Sequence, residues 1–134
     1  MLHRTSVSVR FYELDPYDHV NHSVYIQYFE TGRIRLLADV GFTLPGMKER
    51  GLMIVVSEIR TRFLASAGYG DELVVETGVV ETGRVVTRWR QRILRGEEVL
   101  ATQELRAAVT NLAGRPVRFP ADLVAALEPY RVGG

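Results

Sequence analysis

"SVYIQYFETGRIRLLADVG", Ser23 to Gly41, decides the fold class, because it is the one long run in the chain with helical periodicity. Tyr25, Tyr28, Phe29, Leu36, Leu37 and Val40 recur at spacings that line one face of a helix. Ser23 is placed to cap the first turn and Gly41 to stop the last. Gly32 lies inside the run, where glycine costs about 1 kcal/mol relative to alanine. A close approach of the helix to a sheet would account for it.

Strand patterns flank this helix on both sides. From Thr5 to Tyr12, Val7, Val9 and Phe11 alternate with Ser6, Ser8 and Arg10, which predicts a strand with one buried face. Leu44 to Gly51, with Pro45 and Gly46, reads as a connecting loop. Beyond it, Leu52 to Leu64, Glu72 to Glu81, Val85 to Leu94 and Val99 to Asn111 are rich in Val, Ile, Thr and Leu. "AGYGD", "TG" and "RGEE" separate them. Such short connections make the last three strands an antiparallel meander. Pro116 and Pro120 lead into a short helix with Asp122 near its start, Leu123, Val124 and Leu127 on its apolar side, and Pro129 at its end.

The expectation is one α+β domain spanning residues 1–134, a five-stranded antiparallel sheet with one long helix against it. A single helix cannot cover such a sheet and its edges. A second copy of the chain is the simplest cover, so a homo-oligomer is expected, a dimer at the least and a tetramer as first choice.

Composition narrows the function by exclusion. With 46% hydrophobic and 25% charged residues and a formal net charge of +1, the chain has no field that would draw it to nucleic acid or a membrane surface. It has no cysteine, which removes disulfides, thiolate nucleophiles and cysteine-ligated zinc together. No stretch approaches the roughly 20 apolar residues of a membrane span, and Met1 to Arg10 has no signal-peptide core. A cytoplasmic location is expected.

The chemistry concentrates where the long helix begins, in "ELDPYDHVNHSVYIQYFE", Glu13 to Glu30. Pro16 disfavours the α region for Asp15, so this carboxylate sits off any regular element. Asp18, His19, Asn21, His22 and Tyr25 add a second acid, two imidazoles, an amide and a phenol. All lie close to a helix N-terminus with unpaired N–H donors. Donors there can stabilise an oxyanion, and a nearby carboxylate can attack a carbonyl or activate water. The same residues also make an ordinary turn and cap, so residue types alone leave both readings open. His19 and His22 have no third ligand at a useful spacing, and no GxSxG elbow is present. Neither a metal nor a cofactor is called for.

"RFYELDPYDHVNHSVYIQYFETGR", Arg10 to Arg33, resembles the start of the hotdog-fold acyl-CoA thioesterases of the 4-hydroxybenzoyl-CoA thioesterase type, including the Tol-Pal-linked group. "RFLASAGYGDELVVET", Arg62 to Thr77, resembles a strand-turn-strand segment of the same family. The resemblance implies a hotdog fold, a five-stranded sheet wrapped around a long central helix. It implies hydrolysis of an acyl-CoA or acyl-carrier-protein thioester to a free acid and a thiol. Asp15 matches the family's catalytic aspartate, nucleophile or general base. His22 matches a histidine of the Tol-Pal-linked group, and Tyr25 its tyrosine three residues on. His19 matches a histidine of the plant acyl-ACP thioesterases. Tyr17 replaces the asparagine of that plant motif, and Asp18-His19 replaces a glycine pair of the Tol-Pal-linked group.

Two alternatives share the fold. Acyl-thioester hydratases resemble it, yet their Asp-x-Asn-Pro-x-His spacing is absent here. A non-catalytic acyl-CoA-binding module is the other. Coenzyme A carries phosphates suited to arginine, and Arg60, Arg62, Arg84, Arg88, Arg90 and Arg92 all lie on expected strands. Sequence singles out none of them.

Overall fold

The periodic run forms helix α1 over His22–Asp39 in the computed structural model, which describes residues 1–133. Its buried residues, including Tyr25, Tyr28, Phe29, Leu36 and Leu37, make the single face that periodicity requires. The cap is Asn21, not Ser23. Asn21 has non-helical angles (φ −59°, ψ 139°), and its Oδ1 accepts from the Ser23 N–H at 3.0 Å. His22 is therefore the first helical residue. Gly41 takes the left-handed conformation, φ +93°, that ends the helix.

Strands β1 (His3–Ser8), β2 (Leu52–Phe63), β3 (Glu72–Thr82), β4 (Val86–Arg95) and β5 (Glu98–Asn111) form one antiparallel sheet in the order β1-β3-β4-β5-β2. The meander of β3, β4 and β5 is its centre. Helix α1 lies over β1, β3 and β4, and Gly32 is the closest point. A β-carbon there would stand 2.6 Å from Val75 Cγ1 and 3.0 Å from Thr77 Oγ1. Under the first half of α1 the core holds Phe29, Leu73, Val75, Ile93 and Leu100. Under the second it holds Leu36, Val79, Trp89 and Val109, closed by Leu123 and Leu127 of helix α3 (Ala121–Leu127). β2 is an edge strand whose residues are exposed or half-buried throughout. Among the described residues no helix is long and apolar enough to cross a membrane.

Two sequence expectations fail, the first through a tertiary contact and the second through a local cap. β1 stops at Ser8, four residues early, and Phe11 and Tyr12 are exposed. The buried Glu13 carboxylate accepts from the Arg10 N–H and from the Tyr28 hydroxyl, both at 2.8 Å. These contacts curl Phe11–Glu13 into a 3-10 turn. The supposed loop after α1 contains helix α2, Leu44–Glu49. Thr43 Oγ1 caps it by accepting from the Gly46 N–H at 3.1 Å, and Pro45 falls in the first turn, where its missing N–H is no loss.

One buried contact joins helix and sheet through polar groups. Arg33 Nη1 donates to Gln91 Oε1 at 2.9 Å and to Gln103 Oε1 at 2.8 Å. The two amides in turn donate to Thr77 Oγ1 and Thr61 Oγ1, each at 2.9 Å. Burial lowers the guanidinium pKa to about 10.

Candidate active site

Between β1 and α1 the chain makes a small closed loop. Leu14 and Val20 form an isolated antiparallel bridge, so Asp15 to His19 project as the loop's tip. The Asp15 N–H donates to the His19 carbonyl at 2.7 Å, and Asp18 turns the chain back with φ +61°. Aspartate tolerates that left-handed geometry better than most side chains.

The Asp15 carboxylate is held by the loop it helps to build. Its Oδ1 accepts from the Tyr17 N–H at 2.8 Å and from the His19 N–H at 3.2 Å. Among the described residues Oδ2 has no protein donor, so one oxygen orients the group and the other is free.

Behind this loop runs the segment after β2, and the two are tied together. The Val20 N–H donates to the Ala67 carbonyl at 2.9 Å, and the Ala67 N–H donates to the Tyr25 hydroxyl at 2.9 Å. Tyr25 is only 4% exposed, and its ring packs edge-on against Tyr28 and Phe63. Burial pushes its phenol pKa up, while the Ala67 N–H and Arg95 pull it down. Tyr25 thus braces a wall, with its hydroxyl already engaged. Arg95 supports the same segment, donating to Asp71 Oδ2 at 2.7 Å and to the Ser66 carbonyl at 3.2 Å. Asp71 Oδ2 also accepts from the Gly68 N–H at 2.9 Å. That N–H, with Arg95, holds the Asp71 carboxyl below its ordinary value.

The result is a cleft of about 270 Å³ lined by Asp15, His19, His22 and Tyr25 together with Phe63 and Leu64. All four residues singled out in the sequence meet there. His19 and His22 are exposed at its mouth, and the His22 ring lies edge-on to Phe63 at 6.4 Å. Of the N–H donors at the start of α1, that of Ser23 goes to the Asn21 side chain and that of Val24 to the Asn21 carbonyl at 2.9 Å. The His22 N–H has no acceptor among the described residues. Sequence reasoning missed Glu13, Phe63 and Leu64. Only Glu13 carried a signal, as an acid between apolar residues at the end of a strand pattern.

Comparison with known proteins places the fold and the family. The chloroplastic acyl-acyl carrier protein thioesterase ATL3 of Arabidopsis thaliana is 28% identical over 124 residues, 90% of this chain and 65% of that protein, so the chain spans just under two thirds of this relative's length. Among solved structures, a hypothetical protein of Thermus thermophilus superposes with TM-score 0.89 at 30% identity, covering 96% of this chain and 98% of the other. A probable thioesterase from Bartonella henselae superposes with TM-score 0.87 at 28% identity, over 90% of this chain and all of the other (100%). The architecture is the hotdog fold that the sequence resemblance implies. The model of the thioesterase-like superfamily matches residues 9–127, which takes in the acidic loop, α1 and the whole meander, and the chain belongs to that superfamily.

Proposed function

We propose that the cleft hydrolyses acyl thioesters carried on coenzyme A or on a carrier protein, with Asp15 as the group that acts on the reacting carbon or its water. Membership of the thioesterase-like superfamily supports the reaction class, thioester hydrolysis. The observation that carries the residue assignment is the division of labour in the Asp15 carboxylate: Oδ1 is fixed by two backbone N–H groups, and Oδ2 is uncommitted in the cleft. A carboxylate so held is pre-aligned, and a base or nucleophile works best when its orientation costs nothing at the moment of reaction.

Either Oδ2 takes a proton from water as the water attacks the thioester carbonyl, or it attacks directly and water then opens the mixed anhydride. In both routes the C–S bond breaks and the electron pair leaves on sulfur; in the first the acyl carbon gains its oxygen from water, and in the second it takes an Asp15 oxygen, which water replaces by attacking Cγ of the anhydride. The thiolate is a good leaving group, so little acid assistance is demanded. Negative charge on the carbonyl oxygen develops near the start of α1, where the His22 N–H and the positive end of the helix dipole favour it. The His22 and His19 imidazoles border the same opening, and Tyr25 holds the wall against which the acyl end rests.

β2 supports the homo-oligomer. Met53, Val55, Val56, Ile59 and Phe63 are large apolar residues exposed along an unpaired edge. A second copy set against this edge covers them and ends the row of unpaired backbone groups. Light scattering during gel filtration is the direct check, and a monomer at micromolar concentration rules the assembly out.

The decisive assay is thiol release from a panel of acyl-CoA and acyl-carrier-protein substrates by the parent protein and by Asp15→Asn. The variant keeps a side-chain oxygen to accept from the loop N–H groups, and its kcat is expected to fall by about 10²–10⁴-fold. Full turnover by Asp15→Asn would remove Asp15 from the reaction. Single turnover in ¹⁸O-water then separates the two routes, since only the nucleophilic one leaves the label in Asp15.

A further inference from the structure

The outer face of the sheet, away from α1, carries three rows of charged residues whose alignment only the strand register reveals. In one row Glu81, Arg88, Arg106 and Glu58 are successive cross-strand partners, and its two signs balance. In the next, Glu104 lies between Arg90 and Arg60. In the third, Thr102 lies between Arg92 and Arg62. These last two rows line one cleft of about 330 Å³, where four arginines face a single glutamate. In a chain of net charge +1 this is a strong local excess.

The four guanidinium groups differ in what they have left to offer. Arg92 is pinned through Nε and Nη2 to Glu76 Oε1, at 2.9 and 2.6 Å, which leaves its Nη1 free. Arg4 occupies the other oxygen of that glutamate. Arg90 donates to the Gly133 carbonyl at 2.7 Å and stands 3.8 Å from Glu104. Arg60 and Arg62 make no hydrogen bond or ion pair among the described residues. Two arginines are thus held in place and two are free, around the Thr102 hydroxyl. The Arg62 and Arg92 backbones are two strand spacings apart, roughly 10 Å. Their side chains can converge on one tetrahedral anion, and forked donors suit phosphate oxygens.

We infer that this cleft binds the phosphates of the thioester's coenzyme A nucleotide, with Arg62 and Arg92 as its principal ligands and Arg60 and Arg90 as flanking ones. The identity of the ligand rests on the thioesterase reading, which this inference deepens. Position supports it. Successive strand residues point to opposite faces, so Arg62 opens onto the arginine cleft while its neighbour Phe63 lines the catalytic cleft. The two clefts lie back to back at the end of an edge strand. The chain leaves the sheet at Leu64, and a flexible pantetheine arm can pass round that end with its phosphates on one face and its thioester on the other.

Calorimetry with adenosine 3′,5′-bisphosphate, and with inorganic phosphate as a minimal probe, tests this without any turnover. The parent protein is expected to bind the bisphosphate, and more weakly at about 1 M salt. Arg62→Gln, which breaks no contact within the protein, is expected to weaken binding about tenfold, and Arg62→Gln with Arg92→Gln to abolish it. Arg106→Gln, in the balanced row, leaves it unchanged. With an acyl-CoA that is turned over, Arg62→Gln raises KM at constant kcat, and a dephospho-CoA thioester shows a smaller difference between variant and parent. Bisphosphate binding that depends on Arg62 upholds the inference even if no thioester is cleaved, in which case the hydrolytic reading fails alone. Bisphosphate or phosphate binding indifferent to Arg62 overturns it while leaving turnover intact. It is overturned equally if Arg62→Gln weakens only an acyl-carrier protein, because the cleft would then dock that protein's acidic surface.

Discussion

The Tyr28 hydroxyl donates to the Glu13 carboxylate at 2.8 Å, so a residue in the second turn of α1 fixes the turn that introduces the Asp15 loop. Burial, with Glu13 beside it, drives the Tyr28 pKa well above its ordinary value, so the phenol stays a donor throughout the neutral range. Tyr28→Phe removes that donor and leaves a buried carboxylate with one contact fewer. A loss of about 1–3 kcal/mol in stability is expected in urea unfolding, with a fall in kcat as the loop loosens. A variant of parental stability would mean that Glu13 is satisfied by water.

The position of the helix cap is testable by a pair of substitutions. Asn21→Ala should cost about 0.5–2 kcal/mol, because the Ser23 N–H loses its acceptor. Ser23→Ala removes only a hydroxyl that donates to the same Asn21 oxygen at 2.9 Å, and should cost less. Thermal melts of the two proteins side by side decide it, and the reverse ranking would restore Ser23 as the cap.

Gly32→Ala sets two effects against each other. Helix propensity favours alanine by about 1 kcal/mol, but the new methyl would stand 2.6 Å from Val75 Cγ1, in the packed core. Overpacking of that kind costs about 1–3 kcal/mol, so net destabilisation and a lower Tm are expected. A higher Tm would show that α1 can lift off β3 freely.

Asp71 makes part of the stability depend on acid. Its folded carboxyl pKa is depressed by the Gly68 N–H and Arg95, so the folded state binds its proton less readily than the unfolded chain does. The contribution is therefore complete above the unfolded value of about 3.9 and is lost as pH falls through the lower folded value. Asp71→Asn should flatten the pH dependence of Tm in that window, and its difference from the parent protein should shrink as the medium becomes more acidic. A constant difference across the window would mean that Asp71 acts through geometry alone.

Patterns that depend on local spacing were legible in the sequence, and those that depend on a distant partner were not. The period of Tyr25, Tyr28, Phe29, Leu36 and Leu37 gave α1, and the short connections gave the meander. The end of β1 is set by Tyr28 reaching back to Glu13, fifteen residues away in sequence, and no local pattern encodes that. Asn21 and Ser23 are both good caps by type, and only the backbone angles at Asn21 choose between them. Within the site, the resemblance pointed to Asp15, His19, His22 and Tyr25. The engagement of the Tyr25 hydroxyl by Ala67 could not be read, because β2 and its exit bring that segment back from forty residues on. Alternation along β2 and β4 assigns arginines to a face. Which of them share a row requires the pairing of three strands.

The buried Arg33 contact bears on how β4 and β5 find each other. Gln91 and Gln103 are direct cross-strand partners, and Nη1 of Arg33 reaches both of their carbonyl oxygens. If β4 slid by one residue, Gln91 would turn to the outer face, and Arg90 or Arg92 in its place would set a second guanidinium, unable to accept, against Arg33. A slip of β4 or of β5 would likewise turn Ile93 or Leu105 out of the core, but their contacts, having no direction, name no partner as the hydrogen bonds of Arg33 do. Arg33 therefore acts as a key for strand alignment. By holding β4 and β5 in step, it also holds Arg92 opposite Thr102, on the far side of the sheet from itself.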